Sequence, residues 1–214
     1  MSEVAARMQA VRTGVRLESA TVAWMAVEAI LAVAAGVAAR SVLLTAFGAD
    51  SLIELASGVT LLWRLRTEAS DRDTDRVEAV ERRAIRVSAV LLVLLCVYLV
   101  VSSGTGLILQ VGPQRSWLGV GVAAAALVVM PLLAWRKGLA NRAIGSSALS
   151  ADVAETTTCA YMAGTTLLGL LLDAITGLWW VEYVACLVLL FWLVRETGEA
   201  LQAARGGRGR CGCD

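Results

Sequence analysis

The stretch 41–63, SVLLTAFGADSLIELASGVTLLW, contains no Lys or Arg and is apolar enough to cross a bilayer, yet it carries Asp50 and Glu54 near its middle. A carboxylate at the centre of a membrane helix costs about 2.5–3.5 kcal/mol on insertion scales, so residues of this kind mark ion paths, proton relays or partners of opposite charge. Spaced four apart, Asp50 and Glu54 share one face of a helix, about one turn from each other. A second apolar stretch, 147–164, SALSADVAETTTCAYMAG, repeats the pattern with Asp152, Glu155 and Cys159 at spacings of three and four. With no Lys or Arg inside either stretch, the expected partner is an external cation.

The rest of the chain agrees with a membrane setting. Of its 214 residues 58% are apolar, and the 17% that are charged cluster between apolar runs; the mean hydropathy is +0.71. This is the composition of an all-α, polytopic membrane protein. A span takes about 20 apolar residues, which places six transmembrane helices at roughly 17–39, 41–65, 84–109, 117–135, 147–172 and 178–195. The domain reading is a cytosolic N-terminal segment at 1–16, a six-helix transport domain at 17–195 and a short Gly/Arg/Cys tail at 196–214. The opening residues lack the apolar core of a cleavable signal peptide, and the charged segment 66–83 reads as a connector.

Basic residues orient the spans. Of the 19 Lys and Arg, only Arg40 and Arg115 fall on one side; the others flank the N-terminus, the 64–86 connector, 136–142 and the tail. The positive-inside rule therefore predicts both termini in the cytosol. The seven tryptophans, Trp24 and Trp192 among them, are expected near span ends as an interfacial belt.

If spans two and five pack together, their polar stripes face each other, with Gly48, Ala49, Ser57 and Gly58 on one helix and Ala160, Ala163 and Gly164 on the other permitting close approach. The product is a cage of two to four oxygens and one sulfur, which suits tetrahedral Zn2+. Other readings stand beside this one. Asp152 also suits a helix N-terminus, Cys159 also suits a small core filler, and Glu18 is expected to reach the interface. Glu28 is open between a group that supports the metal ligands, a proton path and an unidentified pairing. Cys96 and Cys186 read as filler, and Cys211-Gly212-Cys213 is a weak soft-metal signal. The absence of His removes most hydrolytic metal sites and His-based triads, and neither a phosphate-binding P-loop nor a GxSxG motif occurs. No enzyme activity, organic cofactor or nucleic-acid partner is expected.

Six spans with cytosolic termini and the run Asp50-Ser51-Leu52-Ile53-Glu54 resemble the cation diffusion facilitators. That family pairs an acid/His-x-x-x-Asp motif in span two with A-D-x-x-H-x-x-x-D in span five. Here Ala151-Asp152-Val153-Ala154-Glu155-Thr156-Thr157-Thr158-Cys159 keeps the spacing, with Glu155 at the position of the His and Cys159 at that of the final Asp. The resemblance implies a metal site of Asp50, Glu54, Glu155, Cys159 and Asp152. It implies a secondary transporter exporting a divalent cation, with Zn2+ as substrate and Fe2+, Mn2+ or Cd2+ as alternatives, in exchange for protons. A short member without the C-terminal cytosolic domain, similar to domainless transmembrane zinc-efflux proteins, is implied. So are a homodimer joined through the spans and a place in the bacterial cytoplasmic (inner) membrane. A membrane metal sensor that regulates a partner without transport is the alternative.

Overall fold

The computed structural model describes residues 2–68, 74–144 and 147–206. They form six helices: α1 (Ser2–Ala39), α2 (Val42–Glu68), α3 (Thr74–Leu109), α4 (Trp117–Ile144), α5 (Ser147–Thr176) and α6 (Val181–Gly206). Among the described residues there is no strand, as the sequence predicts. Five of the helices are long and apolar enough to cross a membrane. The sixth, α6, has an apolar centre but carries Glu182, Arg195, Glu196 and Glu199 along its length. Cys211 and Cys213 lie outside the described residues.

Helix α2 occupies the centre. It packs against α1, α3, α5 and α6, while α1 and α5 also hold α4 between them and α3 pairs with α6. Burial follows this placement: 56% of the α2 span is buried, against 33–39% of the other four spans. The outer helices turn large apolar side chains outward, as α3 does with Val90, Leu94, Val97 and Val101. In a bilayer those surfaces meet lipid, which is as apolar as the side chains themselves. The protein is thus an integral, multi-pass membrane protein.

Helix ends are closed locally and across the bundle. Ser41 caps α2 by accepting from the Leu44 amide at 3.1 Å, and the Leu43 amide donates 3.0 Å to Glu182 of α6. Two of the four orphan donors at this terminus are thereby satisfied, one of them by a carboxylate that suits the positive end of the helix dipole. The left-handed φ of 53° at Arg40 lets the Ser41 amide bond back to the Gly36 carbonyl at 2.9 Å, a helix-ending motif that usually recruits Gly.

Helices α1 and α2 approach backbone to backbone. A Cβ at Gly36 would lie 2.6 Å from the Thr45 backbone nitrogen, and one at Gly48 would lie 2.7 Å from that of Val33. This corrects the expected role of the small residues. Gly48 and Gly58 face α1, and Gly164 faces Leu127 of α4; they bring α1 to α2 and α4 to α5 rather than α2 to α5. Because the neighbouring atoms are backbone, Gly36→Ala must push the helices apart. A loss of about 1–3 kcal/mol is expected, read as a lower thermal midpoint of the detergent-purified protein, while Ala at Gly121, which has open space around it, leaves the midpoint near the wild-type value.

Candidate metal site

The burial of α2 carries Asp50 and Glu54 into the interior, where they are 1% and 4% exposed. None of their four carboxylate oxygens has a hydrogen-bond partner among the described residues. Buried polar groups are ordinarily bonded, and a buried charge is ordinarily paired. A carboxyl group left this way either holds a proton or awaits a cation.

Glu196 joins them from α6. One ligand oxygen of each of Asp50, Glu54 and Glu196 lies within 4.8 Å of the others, and all three residues are buried. At an effective dielectric of about 20, two unit negative charges at that separation repel by roughly 3 kcal/mol, so three ionised carboxylates there call for a neutralising ion. The sequence reading ends span six at residue 195, just before this residue. The helix in fact runs on to Gly206, and its buried stripe, Tyr183, Cys186, Leu189, Leu193 and Glu196, continues at spacings of three and four. That periodicity was the available signal.

The three polar residues of α5 divide: Glu155 and Cys159 lie beside the acidic cluster, and Asp152 pairs apart from it. Glu155 is half-buried and, with Glu54, Glu196, Ser57 and Ser88, lines a cavity of about 200 Å³. Its charge and that of Glu28 both act on Asp50. Cys159 is wholly buried, with Sγ 3.9 Å from Glu28 Oε1, and it is an electrostatic neighbour of Glu54 and Asp50. Glu28 in turn accepts from Ser51 Oγ at 2.9 Å and from the Trp24 indole. The pairing of Glu28 is thereby identified: Ser51, Trp24 and Cys159 hold it inside the bundle on the α1 side of the acidic cluster. Trp24 donates to Glu28 from near the middle of the Arg12–Ala39 span, and Trp192 stacks on Tyr161 at 4.9 Å.

Asp152 lies in a separate buried group. Lys137 of α4, 0% exposed, donates to Asp152 Oδ2 at 2.6 Å and pairs with Glu18 Oε2 of α1 at 2.8 Å. Thr156 Oγ1 adds a contact to Lys137 at 3.4 Å. Two expectations change. Glu18 does not reach the interface, and a basic partner does exist inside the bundle, because α4 continues past residue 135 and delivers Lys137 inward. A void of about 10 Å³ separates Asp152 from Glu54, scarcely enough for one water.

Cys186 is packed in the apolar core, and Cys96 sits 3.6 Å from Thr197 at the α3–α6 contact. The cation efflux transmembrane domain family matches residues 20–204 of the chain, a range that reaches into all six helices and includes every acidic residue named above except Glu18. No match among curated proteins was found.

Proposed function

The chain belongs to the cation efflux family, and from that premise we propose that it exports a divalent metal cation, Zn2+ first among candidates, by exchange with protons. Family membership makes it a transporter of metal cations across a membrane. The finer reading rests on one observation: Asp50 and Glu54 are buried with unpartnered oxygens, and Glu54 lines the acidic cavity. Glu155 and Cys159 face the pair from α5, so the cargo site lies between α2 and α5.

Chemistry supplies the coupling. Metal ligands must be deprotonated, so a cation entering this site displaces protons, and protons returning from the other side displace the cation. The cavity lies where the second half of α2 meets the first turns of α5 and the last turns of α6, at the end the positive-inside rule assigns to the cytosol. It is the loading route in this reading, and release follows when helices rock about the fixed site. A bacterial cytoplasmic membrane and a homodimer joined through the spans complete the proposal.

Proteoliposomes holding a zinc-sensitive dye test it. Wild type is expected to move Zn2+ with opposite movement of protons, and Asp50→Ala is expected to abolish both. Undiminished entry in Asp50→Ala removes the site. Zinc binding by wild type without flux or proton movement replaces export by the sensor reading.

A further inference from the structure

We infer that Glu196 of α6 is a direct ligand of the transported cation, completing an all-oxygen loading set with Asp50 and Glu54. The inference rests on the transport reading above and adds a helix to it, since the sequence pattern points to α2 and α5 alone.

Three independent features carry it. The ligand oxygens of the three carboxylates lie within 4.8 Å of one another, a separation that small side-chain rotations close to the roughly 4 Å that one ion spans at the 2.0–2.2 Å typical of divalent metal–oxygen bonds. Glu196 is only 8% exposed, and its Oε2 has no hydrogen-bond partner among the described residues. Glu196 also lines the same cavity as Glu54 and Glu155, so an entering ion meets it on the way to Asp50. Its helix neighbour Glu199 also borders that cavity, but it is exposed and accepts from Arg195 at 3.3 Å, so its charge is solvated and already paired.

Ligand chemistry then narrows the cargo. Cys159 Sγ lies 3.9 Å from Glu28 Oε1 and also beside Glu54, so three carboxylates outnumber the one sulfur around the loading set. Oxygen donors suit Mn2+ as well as Zn2+, whereas thiolate favours softer ions. Loading through Glu196 therefore admits Mn2+, and Glu196 weighs more heavily for Mn2+ than for Zn2+, which also accepts sulfur.

The test is titration of the detergent-purified full chain, with Mn2+ followed by the EPR signal of the free ion and Zn2+ followed by calorimetry. Glu196→Gln keeps the side-chain shape and removes a buried unpartnered charge, so the protein is expected to elute as wild type does. Its Mn2+ affinity should fall at least about tenfold, because even groups that only orient metal ligands cost roughly 10- to 100-fold when removed. The Zn2+ loss should be smaller. Glu199→Gln, which removes the same charge one turn away, should change either affinity by less than about threefold, as expected for a screened surface charge. Wild-type Mn2+ affinity in Glu196→Gln, or an equal loss in Glu199→Gln, overturns the inference. If Asp50→Ala loses the metal while Glu196→Gln keeps it, the α2–α5 reading survives without α6. A wild-type protein that binds neither ion removes both.

Discussion

Replacing Lys137 with Met is expected to destabilise the folded protein by about 3–5 kcal/mol, the range found when one partner of a buried ion pair is removed. Lys137 is enclosed by Glu18 of α1 and Asp152 of α5, so the substitution leaves two carboxylates facing each other with no cation between them. The three residues sit on three helices, and their loss should loosen α1, α4 and α5 together. Thermal unfolding in detergent, read by size-exclusion chromatography after heating, measures the effect. Adding Glu18→Gln and Asp152→Asn to Lys137→Met should recover most of the loss, since uncharged groups of similar shape remove the repulsion. A lone Lys137→Met protein as stable as wild type would show that the triad holds nothing together.

Zinc affinity is expected to fall steeply as pH falls. Protons and Zn2+ compete for the same carboxylate oxygens, so lowering the pH favours the proton-filled site. Each proton displaced per cation contributes a factor of about ten in affinity per pH unit, and two contribute about a hundred. Calorimetry in buffers of different ionisation enthalpy counts the released protons directly. Asp50→Asn should lower that count by about one, because an amide has no proton to exchange at this position. Release of no protons by wild type would end the exchange mechanism while leaving metal binding intact.

Much of the architecture was legible along the chain. Long apolar runs, interrupted by charged turns, require helices because a bilayer leaves backbone groups no other partners. Six of them form, and the pair Asp50 and Glu54 stands out for the plain reason that charges are rare in such runs. Their common face followed from a spacing of four, and the centrality of α2 accords with its mixed apolar and acidic character. The α5 stripe misled in part. A spacing of three and four aligns Asp152, Glu155 and Cys159 on one side of a helix, but that side meets α1, α4 and α6 at different heights. One stripe therefore divides into an ion pair, a cavity wall and a contact with Glu28.

Composition and periodicity, which are local properties, determined by themselves that the chain crosses the membrane as helices and that α2 carries buried acid. Only the tertiary structure decided what those acids face. Glu18 lies more than a hundred residues from Lys137 and Asp152 in the chain, and the three meet because three helices pack with particular rotations about their axes. Glu196 joins Asp50 and Glu54 because α6 continues about three turns beyond its most apolar stretch and lies against α2. Rotation and depth of one helix against another are set by side-chain packing across the whole bundle, and no single stretch of sequence contains them.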